Sequence, residues 1–189
     1  MASRYIIENA TCGSIRLLGH QLHADVSQSE GLNTFLPSRL KTAPTGKPMI
    51  IAIDPGGTTG VAVRLDTGVC VTATYSDYGE GNKFEFWRFL QNNTTPRETI
   101  VVCERFYAGG RIGSPGENTL QLIGAIKAIC WLRPVDLVMR TPQQRLAWTT
   151  EARKQLQATR LPFVIHEMDS LAHLLSYEWQ QSKKVGAKR

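Results

Sequence analysis

No stretch of the 189 residues approaches the roughly 18 consecutive apolar residues that a membrane-crossing helix needs. The N-terminus, MASRYIIENATCGS, lacks the apolar core of a secretion signal. Cysteine is scarce: Cys12, Cys70, Cys103 and Cys130 form no CxxC pair, and no histidine sits at zinc-finger spacing from them. A disulfide scaffold and a structural zinc site are therefore not expected. The runs VCVTA, IVVCER and AIKAICWL instead predict buried thiols in a reducing compartment, which places the protein in a cytoplasm. Sixteen glycines and nine prolines are too few for a low-complexity or collagen-like chain, and no internal repeat is present. Acidic residues are in the minority, 16 against 22 Lys and Arg, giving a net charge of +6. That balance favours a polyanionic partner only if a site explains why.

What is present fits a globular domain with an appendage. Hydrophobic residues make up 42% of the chain and charged residues 20%. Residues 1–48 mix short apolar pieces with turn formers and end in a linker-like stretch, Thr42-Ala43-Pro44-Thr45-Gly46-Lys47-Pro48. They are expected to be a flexible N-terminal extension and linker, and Met49 offers an alternative start. From Met49 the pattern changes. Met49–Ile53 is a wholly apolar strand ending at Asp54, followed by the tight turn Pro55-Gly56-Gly57. Two more strands lie near 61–65 and 69–74, a helix near 84–90, and a buried strand over Thr99–Cys103 that ends at Glu104. A glycine-rich loop over 107–116 leads to a helix over 117–132, apolar nearly all round. A strand over 135–139, a helix opened by Pro142, and a last helix over about 167–181 complete the order. The expected architecture is α/β, a mixed five-stranded sheet flanked by helices, spanning 49–182, with a frayed basic tail over 183–189. Trp87, Phe84 and Phe89 are expected in the core, Glu167 and Asp136 in solvent.

A carboxylate directly after a buried apolar run is unusual, because burying an unpaired charge is costly. Asp54 and Glu104 both sit there, and neighbouring strands would bring them to one edge of the sheet. Their repulsion would raise a pKa unless a cation lay between them. His166, Asp169 and His173 follow at spacings of three and four, which a helix places on roughly one face. Oxygen ligands with one imidazole suit Mg²⁺ or Mn²⁺ better than zinc. Two such ions can activate water and stabilise the departing oxygen of a phosphodiester. The loop after Glu104 lacks the GxxxxGK[ST] order of a Walker loop. Its glycines beside Phe106, Tyr107 and Arg111 suit a segment that stacks on unpaired bases.

The motifs Ile53-Asp54-Pro55-Gly56 with Thr59-Gly60-Val61-Ala62, then Val102-Cys103-Glu104-Arg105, then His166-Glu167-Met168-Asp169-Ser170-Leu171-Ala172, resemble those of the RuvC family of Holliday-junction resolvases. The resemblance covers about 49–180, and the compact chain with its divergent spacing suggests a phage-type member, active in a host cytoplasm. It implies an RNase H-like fold and a homodimer that cuts branched DNA with two Mg²⁺ ions per site, Mn²⁺ substituting. It assigns the catalytic and metal-binding positions to Asp54, Glu104, His166 and Asp169. It also implies an aromatic wedge at Tyr107, beside Phe106, and a DNA-facing cation at Arg145. Arg145 stands one residue closer to Pro142 than the family's Pro-x-x-x-Lys stretch has its lysine. His173 is a candidate to support the site. The remaining alternatives are a nuclease preferring flaps or forks, a non-catalytic branched-DNA-binding protein, and a phosphate-binding protein of the actin or sugar-kinase type. Asp-Pro-Gly-Gly-Thr-Thr-Gly resembles the first phosphate loop of that last class, but its members are far longer.

Overall fold

The computed structural model describes residues 16–18, 47–76, 80–106 and 116–187. Six strands form one sheet: β1 (Arg16–Leu18), β2 (Met49–Asp54), β3 (Thr58–Arg64), β4 (Cys70–Ser76), β5 (Thr99–Glu104) and β6 (Asp136–Arg140). Their order across the sheet is β1-β4-β3-β2-β5-β6. The three strands β2, β3 and β4 form an antiparallel meander, and β5 and β6 add in parallel beside β2. All five expected strands are present. The sixth, β1, lies within the segment expected to be a flexible extension. It pairs antiparallel with β4, where an edge strand would otherwise leave a row of backbone groups without a strand partner.

Strand alternation divides the core in two. Ile51, Ile53, Val61, Val63, Val101 and Cys103 point to one face. There they meet Phe86, Phe89 and Leu90 of α1 (Glu80–Asn93) and Ile123, Ile126 and Cys130 of α2 (Gly116–Leu132). Phe89 is fully buried and Trp87 packs against this cluster, as expected. The side chain of Phe84 lies outside the described residues. The thiols of Cys70, Cys103 and Cys130 are free and buried, and burial pushes that of Cys70 up to about 12; Cys12 lies outside the described residues.

The opposite face is lined by smaller residues, Ala52, Ala62 and Val102. Against it packs α5 (Ile165–Gly186), through Met168, Leu171, Ala172 and Leu175, and α4 (Thr149–Ala158) joins the same cluster through Ala152 and Leu156. Between β6 and α4 lies one turn of helix, α3 (Gln143–Leu146), with Pro142 at its N-cap. The single helix expected after Pro142 is thus two.

α5 lies between the sheet and the α3–α4 pair, so every residue from Glu167 to Tyr177 is buried. This corrects the expectation for Glu167, which is 1% exposed; Asp136 is exposed as expected. The supposed tail is also corrected. Lys183 and Lys184 continue α5 up to Gly186, because no helix breaker intervenes and lysines are favourable near a helix C-terminus. Among the described residues no helix is long and apolar enough to cross a membrane.

Candidate active site

The same alternation that sorts the core also aims the acids. Asp54 is in phase with Ala52, and Glu104 with Val102, so both face α5. β2 and β5 are parallel neighbours, with Ile53 opposite Cys103, so the two acids leave adjacent strand ends in one register. Gly60 on β3 pairs with Asp54 and is in phase with Ala62, on the same face. The backbone of His166 lies directly on it: a methyl group at Gly60 would be 1.8 Å from the His166 carbonyl oxygen. The first turn of α5 is thereby seated on the sheet beside Asp54.

The contacts follow from that seating. His166 Nδ1 lies 2.8 Å from Asp54 Oδ2. Arg145, on α3, places Nε 2.9 Å from Glu104 Oε2 and Nη1 3.1 Å from Asp169 Oδ1. The fully buried His173 places Nε2 2.5 Å from the same Glu104 oxygen. Among the described residues, Nδ1 of His173 is buried with no hydrogen-bond partner. A proton there would be an orphaned donor, so the tautomer that satisfies the pair carries Nε2–H and donates it to Glu104. His173 therefore fixes the orientation of Glu104 from behind.

Each charge in the cluster is set by its neighbours. Burial pushes Glu104 up, but the hydrogen bonds from His173 and Arg145 outweigh it and hold the carboxyl below its usual range. Asp169 goes the other way: burial raises it, Arg145 opposes, and the charges of Asp54 and Glu104 add to the rise. The hydrogen bond to Asp54 raises the His166 imidazole against the effect of burial. Burial disfavours the Arg145 guanidinium, yet Glu104 and Asp169 keep it firmly protonated. The cluster thus carries more negative charge than one arginine cancels.

All four expected metal-binding residues are brought to one edge of the sheet, together with Arg145 and His173. Arg145, expected to face DNA, turns inward instead, because two carboxylates lie within reach of its fork. Among the described residues, no three His, Cys, Asp or Glu side chains already surround a common point as a metal cage. Glu104 and Asp169 close on Arg145, and Asp54 on His166. The donor set still fits a hard divalent cation in kind: carboxylates in excess, one imidazole, and an organic cation held between two of the acids. Phe106 directly follows this edge, 39% exposed, with its ring against Gly116 at the start of α2. Tyr107 and Arg111 lie outside the described residues.

The depressed Glu104 gives a pH signature. Its folded value lies below the ordinary 4.5, so its stabilising contribution is present above that pH and is lost as pH falls through the folded value. His173→Leu, which removes the donor, is expected to cost about 1–3 kcal/mol at neutral pH. The gap from wild type should narrow as pH drops below 4.5; thermal melts across that range check it, and a gap independent of pH would refute the Glu104 assignment.

No family model and no curated protein matches the chain. Solved structures do. T. thermophilus RuvC in complex with Holliday junction substrate matches at 18% identity and a TM-score of 0.51, covering 72% of this chain and 96% of that one. Thermus thermophilus RuvC also matches, at 15% identity and a TM-score of 0.45 over 72% of this chain and 96% of that one. The fowlpox virus Holliday junction resolvase matches at 13% identity and a TM-score of 0.47, over 68% and 97%. The first of these shows that the fold is RuvC-like, as the motifs imply.

Proposed function

We propose that the chain is a divalent-metal-dependent endonuclease that hydrolyses phosphodiesters in branched DNA, with the four-way junction as its principal substrate. The observation that carries this is the convergence of Asp54, Glu104, His166 and Asp169 on one sheet edge of a RuvC-like fold. These four residues would hold Mg²⁺ or Mn²⁺, two ions per site. Such ions, when bound, supply an activated water and a positive charge on the departing oxygen.

The chain's own side chains do the rest. Asp54 orients the His166 ring through its Nδ1. His173 keeps Glu104 ionised and pointed at the site. Phe106, 39% exposed two residues beyond Glu104, offers a face on which an unpaired base can stack, and Tyr107 and Arg111 would extend that contact. The net charge of +6 supplies the phosphate attraction that a cluster of acids alone would oppose. The T. thermophilus RuvC complex, which holds a Holliday junction as its substrate, supports the same substrate class.

Symmetric resolution of a junction needs two cuts, so the active species in this reading is a homodimer. The exposed apolar side chains along α2, Leu120, Trp131 and Leu132, form the surface it would bury. Residues 49–182 would carry the nuclease.

The test is a parallel cleavage assay on four-way, forked, flapped and linear DNA with Mg²⁺, Mn²⁺ or EDTA. Nicking of the four-way junction that needs the metal is expected to exceed that of linear DNA. Preference for forks or flaps would shift the substrate and keep the chemistry. Binding with no metal-dependent nicking on any substrate would make the protein a non-catalytic junction binder.

A further inference from the structure

We infer that Arg145 is the resident counter-ion of the acidic cluster, and that a divalent cation is admitted only as its guanidinium withdraws. This rests on the metal reading proposed above. One planar fork bridges the acid at the end of β5 and the acid on α5, through Nε to Glu104 and Nη1 to Asp169. Those are two of the oxygen donors a metal would need, and like charges in one small space repel.

The support beneath Arg145 allows such a withdrawal. α3 is four residues long, buries none of them, and has no side-chain cap. Its backbone is nonetheless pinned by the neighbouring residue. Ser176 Oγ donates to the Gln144 carbonyl at 2.7 Å, and the buried Arg140 donates to Ser176 Oγ through Nη2. The Arg145 side chain can therefore swing while its Cα stays in place. Swung outward, the same guanidinium would stand at the lip of the site as a phosphate ligand. The inward placement seen here and the DNA-facing role implied by the family resemblance are then two positions of one side chain. Release of Arg145 by metal would make metal and DNA binding mutually favourable.

Mn²⁺ binding to the full chain, without DNA, tests this by calorimetry and by loss of the free-ion paramagnetic resonance signal. Arg145→Gln is expected to bind Mn²⁺ about tenfold more tightly than wild type. Arg105→Gln removes the same charge from the exposed position beside Glu104, and should change the affinity less than about twofold. Circular dichroism confirms that each variant folds. If Arg145→Gln does not fold, Arg145→Lys, which keeps the charge and loses the fork, is expected to bind Mn²⁺ more tightly than wild type by less than about tenfold, and equal or weaker affinity in it overturns the inference. Equal or weaker affinity in the Arg145 variant overturns this inference alone, as does an equal gain in Arg105→Gln. No Mn²⁺ bound by any of the proteins overturns the metal reading itself, and this inference with it.

Discussion

Gly60→Ala is expected to destabilise the protein by about 3 kcal/mol, the upper range for forcing a methyl into a packed contact. The thermal midpoint should then drop by roughly 6–12 °C for a chain of this size. The added carbon would lie 1.8 Å from the His166 carbonyl oxygen, 2.3 Å from its carbonyl carbon and 3.0 Å from its Cβ. Two of those atoms are backbone, so no rotamer change relieves the clash. Either β3 or the first turn of α5 must move. Because β3 is hydrogen-bonded on both sides by β2 and β4, α5 is the element that yields. His166 sits on that turn and Asp169 directly follows it, and in the proposed reaction a displacement near 1 Å in such a group can cost about 10²-fold in rate. The variant should therefore lose activity well beyond its loss of folded protein. Gly57, in the preceding turn, gives the internal control. A methyl there meets nothing within 4 Å, so Gly57→Ala should melt near wild type and cut normally. Equal behaviour of the two alanine variants would show that α5 is not seated on β3 in this way.

The role of Gly60 illustrates what a linear reading can and cannot reach. The strands were legible because continuous apolar runs bounded by turn formers leave few other readings. Asp54 and Glu104 were legible for a related reason: an acid at the end of a buried run is costly unless it works. The last helix is expected from about Glu167, two residues inside its observed start at Ile165. Gly60, by contrast, looks like a turn-flanking glycine until its partner 106 residues later is known. The family resemblance gives Arg145 as a DNA-facing cation, and its inward turn escapes that reading because Glu104 and Asp169 are its neighbours only in three dimensions. Glu167 reads as a solvated helix residue because its helix looks amphipathic, whereas the sheet and the α3–α4 pair enclose it. His173 was placed near the site by helical spacing, but its hold on Glu104 depends on which strand end lies opposite. β1 was not legible, since three residues of strand inside a turn-rich segment carry no period to detect. In each case the missing information is a tertiary contact, and local propensity has no access to it.

Asp54→Asn should reduce metal-dependent cleavage by at least about 10²–10³-fold while leaving the protein folded and bound to branched DNA. The amide is nearly the same shape as the carboxylate, and its oxygen can still accept a hydrogen bond from His166 Nδ1. The position is buried at the end of a strand paired on both sides, so the backbone has little freedom to rearrange. What changes is charge. A hard cation loses an anionic oxygen donor, and the excess of acids over Arg145 shrinks by one. DNA affinity should hold or rise, because the acids oppose an approaching phosphate and one of them has been neutralised. Asp136→Asn removes the same charge from the opposite end of β6, at an exposed site, and should cut as wild type does. Gel-shift affinity and nicking rate on one labelled four-way junction separate binding from chemistry. Loss of both together would mean that Asp54 supports the fold and not the reaction, and undiminished cleavage would remove it from the site altogether.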